Sequence, residues 1–363
     1  MAAPTHLLVR SVNWLGDAVM AMPALQRLRE ALPATRITVL APEKLADLWR
    51  LHTCVDAVVA IAPGANPWRV GRQLRPLGCD AALVLPNSLR SALECSLAGI
   101  PRRIGRAAAW RRWLLTQALE DAPSFVAMQK RTPADIHRLI AHPAAPVRLP
   151  QSAHHMHHYL HLASALGASS NPVAPRLEVA AHDVADARSS LQLPPGPLLG
   201  LVPGAEYGPS KRWPIEGFAA VAAAMRARHS CHVVILGGAG DRDKAGELAA
   251  ALPQGTAANL AGKTTLRQLA ATLAACRVVV ANDTGPMHLA AAVGAAVVAP
   301  FGSTNADLTA PGLPGDPRHE VVASSAPCSP CFLRACPVDH RCMAGITVEQ
   351  VLIATGRAWE RAG

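Results

Sequence analysis

Aromatic residues are scarce in this sequence, at 4% of its 363 residues. Proteins that bind single-stranded nucleic acids commonly stack bases on aromatic side chains, and no motif of that kind occurs here. The scarcity therefore argues against a nucleic-acid-binding protein. The formal net charge of +10 still favours acidic partners, such as phosphorylated substrates or an anionic membrane surface.

Long apolar runs are missing as well, so the sequence predicts no transmembrane helix. The segment Met1 to Ser11 lacks the layout of a signal peptide. Charged residues make up only 17% and hydrophobic residues 50%, which excludes extensive disorder and allows a large core. Nine cysteines, an odd number without a secretion signal, favour a reducing cytoplasm over a disulfide framework.

Short apolar runs alternate with amphipathic segments in two successive series. The first series predicts strands at 6–10, 36–41, 55–61 and 81–85, with a helix over 18–32 after the first strand. The second predicts strands at 198–202, 232–236, 258–260, 277–281 and 296–301, helices at 215–228, 242–252, 266–275 and 286–293, and a closing helix at 348–361. This order predicts parallel βαβ units. We therefore expect an α/β protein with domains at 1–175 and 176–363, whose strand ends face a central cleft.

Two segments depart from this pattern. Residues 105–150 are rich in arginine, including Arg111 and Arg112, and we interpret them as a basic insertion in the first domain, with a solvated basic loop or helix pair as the alternative. A predicted helix over 152–166 contains five histidines. We interpret them as a polar, solvent-facing side of the helix, and a metal site is the alternative.

The turn at residues 13–17 follows the first predicted strand. Gly16 permits close approach of the backbone to a ligand, and Asp17 lies at a predicted helix start. Aspartate is a common N-cap, and its alternative role here is a general base on a sugar hydroxyl.

The turn at residues 203–214 follows the first strand of the second series. Gly204 and Gly208 permit close backbone approach, and Lys211 and Arg212 are adjacent cations. Such charges can compensate a diphosphate leaving group. The Gly-Lys-Ser/Thr signature of a Walker A loop is missing. Gly-rich turns at 237–242 and 259–266 are less specific and can border a nucleotide.

The most informative turn is at residues 282–288. It follows an apolar strand and opens a helix that Pro286 helps to begin, with Asp283 or Thr284 available as its N-cap. The free N–H groups at such a helix start form a site for an anion. His288, on the first turn, can reach the same ligand.

In the stretches 16–17, 203–214, 259–262 and 282–288, the sequence resembles the bacterial ADP-heptose:lipopolysaccharide heptosyltransferases. The resemblance covers nearly the whole chain, and the 203–214 run is most like that of the type II members. The resemblance implies a GT-B fold of two Rossmann-like domains. It also implies an inverting transfer of heptose from ADP-heptose to phosphorylated Kdo-lipid A that carries one heptose, with no metal or other cofactor required. The enzyme would work in the cytoplasm, at the anionic inner face of the inner membrane, and would not bind nucleic acid.

The resemblance also implies roles for individual residues. Asp17 would be the base, and Lys211 would serve the diphosphate. Asn13, Arg111 and Arg112 would lie on the acceptor side. The donor site would comprise Gly204, Ser210, Lys211, Arg212, Gly262, Asp283, Thr284, Gly285 and His288.

Four cysteines form a compact C-x2-C-x4-C-x5-C pattern: Cys328, Cys331, Cys336 and Cys342. We favour free thiols, with a structural zinc site or disulfides as alternatives. The rival functions are heptosyltransferase I or another inner-core heptosyltransferase, a GT-B-like sugar-nucleotide epimerase, and a zinc-stapled nucleic-acid-binding module.

Overall fold

A computed structural model describes residues 3–108, 110–143 and 147–362. The chain forms two compact units. The first comprises the residues up to Phe125 together with His155–Glu178, and the second comprises Val126–His154 together with the residues from Val179 onward. No helix within the described ranges is long and apolar enough to cross a membrane.

The described residues form these strands: β1 His6–Arg10, β2 Arg36–Pro42, β3 Ala57–Ile61, β4 Ala81–Val84, β5 Arg102–Arg106, β6 Gln117–Leu119, β7 Leu198–Val202, β8 His232–Ile235, β9 Ala257–Asn259, β10 Cys276–Ala281, β11 Ala296–Phe301 and β12 Glu320–Ala323. The α-helices are α1 Leu15–Ala31, α2 Ala46–Arg50, α3 Pro67–Leu74, α4 Leu89–Leu97, α5 Pro133–Ala141, α6 Met156–Ser164, α7 Ala181–Ser190, α8 Ile215–His229, α9 Arg242–Ala250, α10 Leu266–Ala275, α11 Gly285–Ala292, α12 Ala306–Thr309, α13 Arg341–Ala344 and α14 Val348–Arg361. Short 3-10 turns precede several of the helices, including Gln151–Ala153, Pro209–Lys211 and Ala239–Asp241.

Each unit contains a six-stranded parallel sheet that the chain enters near the centre. The strand orders are β3-β2-β1-β4-β5-β6 and β12-β11-β10-β7-β8-β9. In both sheets the order reverses beside the first strand, between β1 and β4 and between β7 and β10. Ligands of open α/β sheets bind at the carboxyl ends of strands at such a switch point. The turns after β1 and β7 are therefore the places at which each unit can hold a ligand.

The predicted strands are confirmed, and most of their apolar runs are buried, whereas β3 and β9 are largely half-buried. Leu8 and Val9 of β1, and Leu199 and Leu201 of β7, have no exposed surface. The sequence reading missed β5, β6 and β12. Strand β5 reads Arg-Arg-Ile-Gly-Arg, and only its Ile104 and Gly105 are buried, so it has no apolar run to mark it.

The prediction that residues 105–150 form a basic insertion in the first domain is wrong. The first residues of this segment complete the first sheet, because they form the end of β5 and the whole of β6. Residues 126–154 pack in the second unit rather than in the first. Arg131 N donates to Cys331 O (3.0 Å), Ile136 of α5 packs on Cys328 and Cys331, and Leu149 N donates to Asp307 Oδ2 (2.9 Å).

The prediction that the histidines of the 152–166 helix form a solvent-facing side is also wrong. Helix α6 packs against α1 and is shorter than predicted. His154 and His158 are buried, and the His158 ring lies 5.4 Å from that of Phe125. Burial lowers the pKa of His158 to about 4, so this imidazole is neutral and part of the packing.

His52 provides a prediction about pH. Burial lowers its pKa from 6.5 to about 4, and its Nδ1 accepts from Cys54 N (3.2 Å). Between these values the unfolded chain binds the proton and the folded chain does not. The free energy of unfolding therefore falls as the pH drops from about 6.5 to about 4, by about 3 kcal/mol for this group alone.

We expect His52→Asn, which keeps an acceptor but does not titrate, to reduce the loss of melting temperature between pH 7 and pH 5. The control is His182→Asn, at an exposed histidine. An unchanged pH dependence in His52→Asn would contradict the assignment.

Candidate functional site

The loop at residues 203–214, which we call the lysine loop, connects β7 to α8. Within it, Lys211 ends a 3-10 turn, and its Nζ lies 2.6 Å from Asp283 Oδ2. The two side chains are only 15% and 6% exposed. This ion pair joins the carboxyl ends of β7 and β10, next to the switch point of the second sheet.

Asp283 is held as a carboxylate by its surroundings. Burial by itself would raise its pKa, but the Lys211 ammonium, a hydrogen bond from Thr304 Oγ1 (2.6 Å) and the nearby His288 together hold the pKa below its ordinary value. Asp283 therefore stays ionised at neutral pH and orients the lysine. A buried pair of this kind is strongly destabilised when only one partner is removed.

Asn282 ties the lysine loop at both of its ends. Its Nδ2 donates to Pro203 O (2.8 Å), and its Oδ1 accepts from Trp213 N (3.0 Å). The residue is fully buried, so these bonds satisfy an amide that would otherwise be costly to bury. Lys211 is consequently presented from a loop closed by the neighbouring strand.

The turn before α11 differs from the expected cap. Thr284 occupies the N-cap position, with no side-chain cap bond among the described residues, and Asp283 binds Lys211 instead of the helix. Pro286 lies at the second helical position and has no N–H to satisfy. The start of α11 thus keeps N–H groups, including that of Gly285, in the partial positive field of a helix N-terminus. His288 is on the first turn, as predicted, and is 4% exposed.

Gly204 follows β7 and Gly262 follows β9, with β8 between these two strands, and at each position the neighbouring atoms leave no room for a side chain. A Cβ at Gly204 would overlap the carboxylate of Asp241, which accepts from Gly238 N (2.9 Å). Gly262 has φ +68°, and its carbonyl accepts from Arg242 Nη2 (3.0 Å). Both glycines therefore shape the carboxyl edge of the second sheet, Gly204 within the lysine loop and Gly262 two strands away.

Ser210 and Arg212 flank Lys211. The Ser210 side chain is buried and donates to Leu333 O, so it fixes the loop. Arg212 Nε is buried without a hydrogen-bond partner in the described residues. Of the two adjacent cations, Lys211 is the one that pairs with Asp283.

In the first unit, Asp17 is the third residue of α1, because the helix begins at Leu15 rather than at Ala18. Trp14 is the N-cap residue, so the common capping role that we considered for Asp17 is wrong. Asp17 is half-buried beside Tyr159. Burial and the Asp17 charge raise the pKa of that tyrosine, which keeps the phenol neutral.

Asn13 lies just before α1 and is exposed. Its Oδ1 accepts from Arg10 Nη1 (3.3 Å), and Arg10 is buried in an ion pair with Glu94 (2.8 Å). Glu94 also pairs with Arg90 (3.0 Å). This network holds the turn that presents Asn13 and Asp17 at the carboxyl end of β1.

Arg111 and Arg112 have different environments. Arg111 is fully buried and donates to the carbonyls of Pro86, Ser88 and Arg106. Burial lowers its pKa to about 10. It therefore supports the fold of its loop, contrary to the expectation of a ligand-facing cation. Arg112 is exposed and pairs with Glu120 (2.9 Å).

We expect Arg111→Ala to lower the free energy of unfolding by roughly 2–4 kcal/mol, because three carbonyls lose a charged donor. Arg112→Ala should leave the free energy of unfolding within about 1 kcal/mol of its original value, because an exposed ion pair contributes little. Thermal and denaturant melts of both variants test this. An Arg111→Ala protein as stable as the unmodified protein, or a large loss of stability in Arg112→Ala, would contradict it.

Cys328, Cys331, Cys336 and Cys342 are free thiols in the structure. Burial, and then the neighbouring thiols, raise the pKa of Cys342 to about 12. Across the described ranges, no group of three or more histidine, cysteine or acidic residues is arranged to hold a metal ion. Cys328 and Cys331 pack on α5, and Cys342 joins the main core of the second unit.

Sequence reasoning did not single out Asn282, Thr304 or the Arg10–Glu94 pair. Asn282 and Thr304 each follow an apolar strand, which is the pattern that identified Asp283, so a search of polar residues at strand ends finds both. Glu94 lies inside a helix, and no local pattern marks it.

A chain with two parallel sheets, and with a cation, a buried carboxylate and a helix N-terminus at the edge of one of them, has the features of a GT-B protein that binds a phosphorylated nucleotide. The family model of glycosyltransferase family 9 (heptosyltransferase) matches residues 67–341. The chain belongs to this family, as its sequence suggested.

The relatives agree with this assignment. The chain is 32% identical to lipopolysaccharide heptosyltransferase 2 of Escherichia coli K12 over 315 residues, which are 84% of this chain and 85% of that protein. It is 31% identical to the protein of the same name from Salmonella typhimurium, with the same coverage. The solved structure of the E. coli ADP-heptose LPS heptosyltransferase II is similar with a TM-score of 0.80 and 28% identity, covering 98% of this chain and 99% of that one. The expected GT-B fold is thereby confirmed.

Proposed function

We propose that this chain transfers L-glycero-D-manno-heptose from ADP-heptose to the first heptose of the lipopolysaccharide inner core, which is the heptosyltransferase II reaction. The names of its relatives support this reaction. The observation that carries the chemistry is the buried Lys211–Asp283 pair, beside the start of α11. It places a fixed positive charge where parallel sheets hold phosphates.

In the second unit, Lys211 and the N–H groups at the start of α11 bind the diphosphate of ADP-heptose. Negative charge grows on that diphosphate as the glycosidic bond breaks. Lys211 is already held by Asp283, so little reorganisation is needed when the charge develops. The turns of Gly204 and Gly262 lie along the same edge of the sheet and border the nucleotide, and His288 is on the first turn of α11.

In the first unit, Asp17 is the general base. It removes a proton from the acceptor hydroxyl as the oxygen attacks the anomeric carbon on the face opposite ADP. The new bond forms as the bond to the diphosphate breaks, so the anomeric configuration inverts. The half-buried carboxylate beside the neutral Tyr159 phenol suits this role.

The acceptor is phosphorylated Kdo-lipid A that already carries one heptose, and the reaction takes place at the cytoplasmic face of the inner membrane. The net charge of +10 favours the acceptor phosphates and an anionic membrane surface. Asn13 and the exposed Arg112 are the residues that we assign to the acceptor side.

No divalent metal is required in this mechanism, because Lys211 and the α11 terminus supply the positive charge. We expect EDTA to leave the initial transfer rate within about 2-fold of the untreated rate. The check is a rate assay in metal-free buffer, before and after adding back Mg²⁺ or Mn²⁺. A large loss that metal restores would contradict this prediction.

The function is tested by a product assay with ADP-heptose and two purified truncated acceptors, one without heptose and one with a single heptose. Transfer to the second acceptor alone is the expected result. Transfer to the first alone would instead identify heptosyltransferase I, and turnover of the nucleotide sugar without any acceptor would favour an epimerase.

A further inference from the structure

A short segment at residues 332–334, which we call the strap, holds the lysine loop through three consecutive backbone carbonyls. Tyr207 Oη donates to Phe332 O (2.7 Å). The Ser210 hydroxyl donates to Leu333 O, and Ser210 N donates to Arg334 O (3.2 Å). These three hydrogen bonds join the lysine loop to a segment that lies more than 120 residues later in the sequence.

Arg334 returns a bond to the loop, because its Nε donates to Tyr207 O (2.6 Å). The Tyr207 ring is near two cations: Lys211 Nζ is 5.0 Å from the ring centroid, and the Arg334 guanidinium carbon is 5.5 Å from it. Both lie within the range of a cation–π contact. Lys211 thus has two fixed neighbours, the Asp283 carboxylate and the Tyr207 ring.

The strap and the loop are in direct backbone contact. A Cβ placed on Gly208 would overlap the carbonyl oxygen of Arg334. Only a glycine allows the two segments to approach this closely. The contact therefore depends on the glycine at position 208 and on the backbone of Arg334.

The other side of the strap is bonded to the loop that supports Asp283. Cys331 N and Phe332 N both donate to Ser303 O (3.0 and 2.8 Å). The next residue, Thr304, donates to Asp283. The strap therefore connects the lysine loop to the loop that contains Thr304. That loop in turn orients Asp283, the ion-pair partner of Lys211.

We propose that Tyr207 and Arg334 are positioning residues for Lys211: the strap holds the Tyr207 ring, and the ring fixes the lysine ammonium where it meets the donor diphosphate. This inference rests on the function proposed above. Neither residue has to touch the substrate. A lysine has a flexible four-carbon side chain, and restricting it before the substrate arrives reduces the entropy lost in the transition state.

A double-mutant cycle with Lys211 separates positioning from general support of the fold. We expect Tyr207→Leu to lower kcat/KM by roughly 5- to 30-fold, as for loss of a partly desolvated cation–π contact. In the Lys211→Ala background the same change should have less than about 2-fold effect, since the group it positions is gone. Tyr207→Phe keeps the ring over the ammonium but loses the hydrogen bond to Phe332 O, so its kcat/KM should lie between those of the unmodified protein and of Tyr207→Leu.

Arg334→Gln should behave like Tyr207→Leu, with its effect also lost in the Lys211→Ala background. The matched control is Arg341→Gln, whose guanidinium pairs with Asp339 (2.9 Å) in the same cysteine-containing region. We expect this control to have unchanged activity. Thermal melts of all variants identify any that are simply less stable.

The same cycle is measured by ADP calorimetry, which does not depend on the acceptor. If the chain transfers heptose but the Tyr207 and Lys211 effects are additive in both assays, the positioning role is overturned while the proposed function stands. If no acceptor is used, the proposed function fails, and the ADP cycle decides the positioning role alone. A chain that does not bind ADP would overturn both.

Discussion

Asp17→Asn is expected to lower turnover by roughly two to four orders of magnitude, the range associated with loss of a general base. The fold should be unaffected, because Asp17 is inside α1 and Trp14 occupies the N-cap position. ADP affinity should be unchanged as well, since the diphosphate site that we propose belongs to the second unit. Single-turnover rates, ADP calorimetry and thermal melts measure these three quantities.

The matched control for this change is Asp47→Asn. Asp47 is also an acidic residue in the first turn of a helix, α2, and it pairs with the exposed Arg50 (2.7 Å). This control should transfer heptose at the rate of the unmodified protein. A near-normal rate in Asp17→Asn would mean that another group takes the proton.

Lys211→Ala has the second large expected effect, a loss of roughly 10²–10³ in kcat together with weaker ADP binding, because a preorganised charge at the leaving group is removed. The change also leaves Asp283 buried without its cation. The free energy of unfolding should therefore fall by roughly 3–5 kcal/mol.

The two effects of Lys211→Ala can be separated. The double variant Lys211→Met, Asp283→Asn removes both charges, while the amide oxygen introduced at position 283 can still accept from Thr304. It should recover most of the lost stability and none of the lost activity. Lys244→Met, which removes a lysine from an exposed pair with Glu247, is the control. Recovery of activity in the double variant would show that Lys211 acts only through the fold.

The candidate site was largely predictable because its main residues follow apolar strands. Lys211 and Asp283 lie in the turns after such runs, and Asp17 lies in the first turn of the helix that follows one. The roles within the turns were less predictable. Asp283 could have capped α11, but the competing choice, a buried ion pair with Lys211 across 72 residues of sequence, depends on which strands are neighbours.

The basic segment shows where local patterns fail. Strand β5 was not predicted because three of its five residues are arginines. Their side chains bond to carbonyls and acidic residues, and only Ile104 and Gly105 are buried in the core. Arg111 looked like a surface cation and is fully buried. Arginine can be buried when carbonyls satisfy its donors, and no spacing rule reveals where those carbonyls will be.

By itself, the sequence determined the alternation of strands and helices, the parallel sheets, the positions of the turns at the strand ends and the family. All of these follow from hydrophobic periodicity and from residues whose backbone preferences are local. Only the tertiary structure decided that residues 126–154 pack in the second unit, that Asn282 closes the lysine loop, and that the strap at 332–334 supports it. These contacts join backbone groups far apart in the chain. Every residue has a backbone carbonyl oxygen, so the sequence alone does not show which donor will bond to which carbonyl. The fold decides this by bringing a donor and a carbonyl together.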